Sequence, residues 1–492
     1  MNIQSNTQKV IKGISSQTIV TIALGVVEIL SFSIMSRLLT KEDFGYYAAI
    51  TAITAVFSSF SETGIGSAII QKKEINKSFV NSAFTLNLLF GLILTLSLFV
   101  LAGPLSRIIV DDSMSKPLRI MSITLFCHCL TSINFSLMRR KLQFLRVGII
   151  NLISLVIATV LAIVLAVKGY GYYAILAKSV VAAVIALIIS HFGAKTRYSI
   201  SFDYSVFKSI FSFSGWLMAG AVFRNLSGQV DRLMMGRLLS VSSLGIYNRP
   251  KEFITQIATK LNSIFDTALF PVLSGIQDDL SSLQRSFKTS LYYLNIFASI
   301  LTVGFIINHE LLIRIFMGEQ WLNVKLFFVI LSVSLLFNID GRLADCYLRS
   351  LGLTKVQFFF RVAETFFKII GVFIGSRWDV LGVVICVVII DVIIKLLKTC
   401  YVSNVLQIKL SSSFGVIISG WRSSILVLIL CVCLLICFSH SFWADIALFV
   451  CFALSVFVIF VFFPSLVGHR YQVEAFPKLL DMIKSKLSFL KR

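Results

Sequence analysis

Apolar stretches of about 20 residues recur from one end of this chain to the other, and that feature constrains its fold more than any other. Residues 86–101 and 424–438 contain no Asp, Glu, Lys or Arg. A helix rises about 1.5 Å per residue, so such stretches cross a hydrocarbon core about 30 Å thick with their backbone hydrogen bonds satisfied internally. Composition agrees, since 57% of the 492 residues are apolar, 14% are charged and the mean hydropathy is +0.91. A soluble domain carries roughly 25% charged residues. A membrane β-barrel would show short alternating segments, and none is present. The predicted class is an all-α polytopic membrane protein.

About fourteen spans are predicted, near residues 18–38, 44–70, 80–103, 118–138, 147–167, 170–192, 207–239, 244–273, 287–315, 324–348, 356–376, 380–405, 421–438 and 443–463. Residues 1–17 are polar, and the apolar segment behind them lacks a small-residue cleavage pattern, so it is read as a retained first helix. The net charge of +22 does not call for nucleic acid, because the basic residues fall in short loops between spans. Loops on the side of the N-terminus hold Lys72, Lys73, Lys77, Arg139, Arg140, Lys141, Arg146, Lys195, Arg197, Arg285 and Lys288. With both termini, roughly 24 Lys and Arg lie there against about 10 on the other side, which predicts cytoplasmic termini. At residues 471–492, Leu479, Leu480, Ile483, Leu487 and Leu490 share one helical face ringed by Lys478, Lys484, Lys486, Lys491 and Arg492. That pattern predicts an interfacial helix on anionic membrane lipids.

An internal repeat is visible at an offset of 200 residues. Arg37-Leu38-Leu39-Thr40 precedes Gly45-Tyr46-Tyr47, and Arg237-Leu238-Leu239-Ser240 precedes Gly245-Ile246-Tyr247. Arginine is expected to anchor a helix end at the headgroups, and glycine to let the chain turn tightly into the next span. An even number of spans separates the copies, so two halves of like orientation are predicted. The expected organisation is a six-helix lobe over residues 1–200, a second over 201–410, two further helices over 411–466 and the basic tail over 467–492.

The residues at these junctions carry a resemblance. Ser36-Arg37-Leu38-Leu39 through Phe44-Gly45, then residues 64–72, resemble the start of polysaccharide exporters. Phe223-Arg224, Val230-Asp231-Arg232, Gly236 and Leu244-Gly245-Ile246-Tyr247 look like the seventh-span signature of that family, and residues 270–274 are similar to the close of its eighth span. The family is the polysaccharide and O-antigen flippases, whose superfamily also holds multidrug extruders and the lipid II flippase. The resemblance implies two six-helix bundles in a V and a bacterial cytoplasmic (inner) membrane location. It also implies a substrate, an oligosaccharide on undecaprenyl diphosphate, moved to the outer leaflet by alternating access. A proton or sodium would be the coupling ion, and a polysaccharide polymerase or export complex a possible partner.

Charges inside the spans fall on stripes. Arg224, Gly228 and Asp231 lie at i, i+4 and i+7 with Arg232 beside them, and Arg249, Glu252, Gln256 and Lys260 continue one face of the next span. Arg342, Asp345 and Arg349 repeat the spacing, as do Arg361, Glu364 and Lys368. Thr51, Thr54, Ser58 and Glu62 form a stripe without cations. An ionised side chain at mid-bilayer is costly, so these residues face either a water-filled cavity or one another as buried pairs. In the cavity reading Arg224, Arg232, Arg249, Lys260, Arg342, Arg349, Arg361 and Lys368 hold the diphosphate or acidic sugars, because guanidinium forks suit phosphate oxygens. Glu28, Glu62, Asp231, Asp345 and Glu364 are the candidate ion-coupling carboxylates.

Nothing in the sequence calls for an enzyme or a cofactor. No nucleotide-binding loop is present, the histidines at 128, 191, 309, 440 and 469 stand singly, and the nine cysteines have no metal-ligand spacing. A multidrug or organic-cation extruder of the same fold is the main alternative, although it would need an acidic or aromatic pocket, and these stripes hold more Arg and Lys than Asp and Glu. A membrane polymerase would need a large external loop. Tags at residue 2, between Arg140 and Phe144, and after Arg492 should all report cytoplasm in a protease-protection assay, and one near Asp112 the external side. An external C-terminal tag would show that a span has been miscounted.

Overall fold

A computed structural model of the chain describes residues 3–61, 65–72, 75–194, 196, 198–201, 203–437 and 449–452. Within the described residues the chain is helical, with no strand. The helices are α1 (Ile3–Leu38), α2 (Lys41–Ser61), α3 (Ile65–Gln71), α4 (Lys77–Ile109), α5 (Ser115–Arg140), α6 (Phe144–Val167), α7 (Tyr172–Ala194) and α8 (Tyr204–Leu238). There follow α9 (Val241–Gly275), α10 (Leu280–Ile307), α11 (His309–Phe316), α12 (Lys325–Ser350), α13 (Thr354–Gly375), α14 (Asp379–Val405) and α15 (Leu410–Cys437). Nine helical segments among the described residues are long and apolar enough to cross a membrane. Each of the first thirteen predicted spans contains a long helix. The predicted fourteenth, of which only residues 449–452 are described, and the tail 467–492 lie outside them.

Local chemistry explains where the helices begin and end. Asp279 caps α10 by accepting from the backbone N–H of Ser281 (3.0 Å) and Ser282 (3.1 Å), and from both hydroxyls. This cap starts the helix seven residues before the predicted 287. Those hydroxyl bonds pull the Asp279 carboxyl down to about 2, so the cap stays ionised until strongly acid pH. The predicted ninth span, 287–315, is two helices. At its break Asn308 Nδ2 donates to Gly304 O (3.0 Å), which also accepts from Asn308 N (3.0 Å), and His309 Nδ1 lies 2.8 Å from Ile306 O, so side chains add bonds to the last carbonyls of α10. Between α12 and α13 the chain reverses at Gly352, whose φ of +72° is costly for other residues.

The chain forms two compact units. The first comprises Met1–Arg249, Ile315–Gln320 and Arg361–Cys386, and the second Pro250–Arg314, Trp321–Phe360 and the described part of Val387–Arg492. In the first, Ile65, Ile69, Phe79, Ala83, Leu86, Ile133 and Leu137 pack as one cluster from α3, α4 and α5. Polar links fix the same helices: Asn87 Nδ2 donates to Cys129 O (3.1 Å), and Asn134 Nδ2 to Ser190 Oγ (3.0 Å). Tyr198, in the connection after α7, donates to Asn134 Oδ1, and burial pushes its phenol up to about 12, which keeps it a donor. In the second unit Leu273, Leu283, Phe287, Leu291, Ile339, Leu343, Tyr347, Val402 and Leu406 form the core. The outward apolar side chains, among them Ile93, Leu96 and Val100 of α4 and Phe359, Phe366 and Phe373 of α13, are the lipid-facing surface of a membrane bundle.

Inside the first unit the two copies of the repeat meet. A Cβ built on Gly45 would overlap the carbonyl of Val241, and one built on Gly245 would overlap the carbonyl of Lys41. Position 41 of one copy thus covers position 45 of the other in both directions, the reciprocity of a two-fold contact. The glycines therefore do not make the turn, as the sequence suggested, but let the first turns of α2 and α9 touch backbone to backbone. A capping box makes the first turn: Asp43 Oδ2 accepts from Thr40 N (2.9 Å) and Thr40 Oγ1 from Asp43 N (3.2 Å). Ser240 Oγ accepts from Ser243 N (3.1 Å) at the second. Arg37, in the last turn of α1, donates to Ile315 O at the end of α11 (2.8 Å) and to Ser33 Oγ (2.9 Å).

Gly45→Ala and Gly245→Ala should each lower the melting temperature of the detergent-solubilised protein by several degrees. Gly25→Ala, where nothing lies within 4 Å, should leave it level or raise it, because alanine favours helix by about 1 kcal/mol. Equal melting temperatures for all three would remove the backbone contact as the reason for the motif.

Candidate functional site

The α8 stripe leaves open space for packed space along its own length. Arg224 is exposed, and Gly228 one turn on has nothing within 4 Å of a notional Cβ. Asp231, three residues further, is fully buried and accepts from the hydroxyl of Tyr247 on α9 and from Arg232 N (3.0 Å). Arg232 turns aside to Gln229 Oε1 (2.8 Å). Asn225 Nδ2 donates to Ser59 Oγ (2.8 Å), which ties α8 to α2.

Arg249 is enclosed. Its guanidinium carbon lies 3.4 Å from the centre of the Phe32 ring and 4.0 Å from that of Phe44, and the residue is 3% exposed. Nη2 donates to Phe32 O (2.6 Å) and Ser36 Oγ (2.6 Å), and Nε to Ser36 Oγ (2.9 Å). Aromatic faces, a hydroxyl and a carbonyl of α1 replace water around the cation, so in this conformation it joins α9 to α1 and α2. On α2, Thr51, Thr54 and Ser58 return their hydroxyls to carbonyls of their own helix, Tyr47, Ile50 and Ala55. Glu62 and the side chain of Lys260 lie outside the described residues. Glu28 is half-buried in α1.

The α13 stripe is an ion cluster along one helix. Glu364 accepts from Arg361 Nη1 (3.1 Å) through one oxygen and from Lys368 Nζ (2.9 Å) through the other, with Glu364 and Lys368 both buried. Spacings of i+3 and i+4 bring all three onto one face.

In the second unit α12 and α14 share a polar seam that the sequence stripes captured from one side only. Asp345 pairs with Lys398 of α14 at 2.9 Å, and Lys398 is 2% exposed. One turn away Lys395 donates to Asn338 Oδ1 and pairs with Asp391 at 3.3 Å. Gly341 makes room for the Lys395 stem, since a Cβ there would lie 2.7 Å from Lys395 Cγ. Arg349 Nε faces the Asp345 carbonyl at 3.4 Å, and Arg342 lies half-buried on the same helix. Asp391, Lys395 and Lys398 follow i, i+4 and i+7, the rhythm that marked the other stripes, so the signal for them was present in the sequence. Asp340 and its partner Asn295 of α10 (2.7 Å) lie off any stripe and carry no such signal.

Residues 34–326, which contain both copies of the repeat, match the model of the family described as polysaccharide biosynthesis protein. Among relatives, the lipopolysaccharide biosynthesis protein WzxC of Escherichia coli K12 is 24% identical over 402 residues, 81% of each chain. The succinoglycan biosynthesis transport protein ExoT of Rhizobium meliloti is 25% identical over 332 residues, 66% of each. Among solved structures, the lipid II flippase MurJ in an inward closed conformation superposes with a TM-score of 0.73 at 16% identity, covering 92% of this chain and 99% of its own. An inward-facing multidrug transporter of the MATE family gives 0.66 at 13%, covering 81% and 98%. At these identities the structural likeness speaks for the fold alone. The family match spans more than half of the chain and crosses both repeat junctions: this is a membrane protein of the polysaccharide biosynthesis protein family.

Proposed function

We propose that the chain is a flippase that carries an oligosaccharide linked to undecaprenyl diphosphate from the cytoplasmic to the outer leaflet of a bacterial inner membrane. What supports this is the charge balance in the interior turns of α12, α13 and α14. In those turns of α12 and α14 four cations (Arg342, Arg349, Lys395, Lys398) stand against three carboxylates (Asp340, Asp345, Asp391), and in those of α13 two (Arg361, Lys368) stand against one (Glu364). Net positive charge inside a membrane bundle suits a diphosphate and repels an organic cation. The relatives are named for lipopolysaccharide biosynthesis and succinoglycan transport, which fits transport of a glycan precursor rather than catalysis. Lobes at 1–200 and 201–410 would alternate in access, with Arg224 and Arg361 among the cations that meet the diphosphate. Glu28 and Glu62 remain proposed coupling carboxylates for a proton or sodium, and a polymerase or export complex a proposed partner. The MATE likeness keeps an extruder of organic cations as the second reading.

Proteoliposomes loaded with a tagged undecaprenyl-diphosphate glycan test this, with a lectin reporting the lipid that crosses. Arg224→Ala and Arg361→Ala should slow the crossing while inserting at parental levels. Expulsion of a fluorescent organic cation, with no movement of the glycan lipid, would sink the reading.

The enclosed pair Asp345–Lys398 separates packing from transport. Lys398→Ala should cost about 3 kcal/mol of stability, because a buried carboxylate loses its counter-charge. The isosteric double change Asp345→Asn with Lys398→Met should recover most of that in thermal unfolding. If the pair also serves the substrate, glycan crossing stays low in the double variant. Recovery of both would make the pair purely structural.

A further inference from the structure

Asp340 lies in the middle of α12 and is 1% exposed. Its Oδ1 accepts from Asn295 Nδ2 at 2.7 Å, while its Oδ2 is enclosed with no hydrogen-bond partner. No cation pairs with it among the described residues. In this it differs from Asp345, Glu364 and Asp391, each of which has a lysine within 3.3 Å.

The orientation of the neighbouring amide follows from chemistry. Trp421 of α15 has only an N–H to offer, and its Nε1 lies 2.8 Å from Asn295 Oδ1, so that oxygen must be the acceptor. The Asn295 amide nitrogen is thereby turned to Leu291 O (2.8 Å) and to Asp340. α15 closes tightly over this node: a Cβ on Gly420 would lie 2.8 Å from Asn295 Cβ and 3.1 Å from Tyr292 O. Ser299 and Ser424 share a hydrogen bond of 2.6 Å one turn further along the same seam.

A carboxylate with one neutral donor, no counter-ion and one empty oxygen is a poor ion in a dry bundle, whereas a carboxylic acid fits. Charged and titratable groups on the surrounding elements do not change this. Arg422 of α15 is exposed, and Tyr292 and Tyr293 of α10 are neutral phenols. Arg342 is two residues along α12, off the face that meets Asn295. Lys395 of α14 lies against Gly341, but its ammonium is committed to Asp391 and Asn338. A sodium ion would want several oxygens, and the amide presents its nitrogen instead.

We infer that Asp340, held by Asn295 and Trp421, is a proton-binding site of the second unit. With α10, α12 and α15 packed as seen, the site holds Asp340 as a neutral acid. Release of the proton requires these helices to part so that water reaches Oδ2. The proton then travels in the coupled direction through Asp340, which rests on the transport reading above; the site itself does not.

Infrared difference spectra of the reconstituted protein, parent minus Asp340→Asn at neutral pH without glycan lipid, test the site directly. A carboxylic-acid C=O band present in the parent and lost in the variant is the expected result. Ionised-carboxylate bands in that difference would overturn the proposal, as would an acid band that responds to sodium at fixed pH. Trp421→Phe, which removes the N–H that orients Asn295, gives a second reading if Asp340→Asn does not fold. The acid band should then shift in frequency, and a band left unmoved would count against the site. In proteoliposomes Asp340→Asn should lose the acceleration that an imposed pH gradient gives the parent, and Asp340→Glu should keep part of it. An Asp340→Asn protein that responds to the gradient as the parent does would remove the coupling role. If the parent itself moves no glycan lipid while the acid band is present, the transport reading fails and the proton site stands.

Discussion

No water is available in a hydrocarbon core, so a polar group buried there has to find its partner within the protein. The architecture of this chain follows from that constraint. Hydroxyls on α2 fold back onto their own helix, amides on α4 and α5 bridge to neighbours, and the guanidinium of Arg249 is wrapped by two phenyl rings and a carbonyl of α1. Hydrophobicity places the helices in lipid without saying which of them touch, because lipid tails are as apolar as leucine. Which helices touch is decided by small residues and polar links. Gly45, Gly245, Gly341 and Gly420 each mark a site where a Cβ would collide with another helix.

The charged residues show the same constraint at higher stakes. Pairing along a single helix, as in Arg361–Glu364–Lys368, stiffens that helix and needs no neighbour. Pairing between helices, as in Asp345–Lys398, makes the α12–α14 seam conditional on both charges. A transporter that alternates between states needs seams of this second kind, held by a few interactions that are strong when formed and replaceable by water when opened. Asp340 is a different case again, a buried carboxyl that meets a neutral amide where the others meet a cation.

The repeat illustrates how one motif serves two levels of structure. At the local level Thr40 with Asp43, and Ser240 with Ser243, start the next helix. At the tertiary level the glycine five residues after Thr40, and its counterpart after Ser240, receive the other copy's backbone carbonyl. Two copies that each carry a small residue and an exposed carbonyl at matching positions are self-complementary, which is the condition for a symmetric contact. Both halves of the motif are therefore constrained together, and the 200-residue offset is the trace of that shared constraint.

The sequence alone determined the solvent, the helix class, the approximate place of the spans and the family. These depend on composition, on runs of about 20 apolar residues and on short motifs, all of which are local in the chain. It also grouped charged residues on single helix faces, because i, i+3 and i+4 spacing is geometry internal to a helix. What it left open was who faces whom. Asp345 falls on a stripe with Arg342 and Arg349 along one helix, and the lysine that also meets it comes from α14, 53 residues away. Arg249 reads as a cavity cation, yet its neighbours Phe32, Ser36 and Phe44 come from the first two helices. Asp340 has no charged residue at helical spacing beside it; its meaning lies in an amide on α10, in an indole on α15 and in the oxygen that neither reaches. Those relations exist only after the helices pack, since contacts between distant segments are set by side-chain fit and mutual desolvation, which no local pattern records.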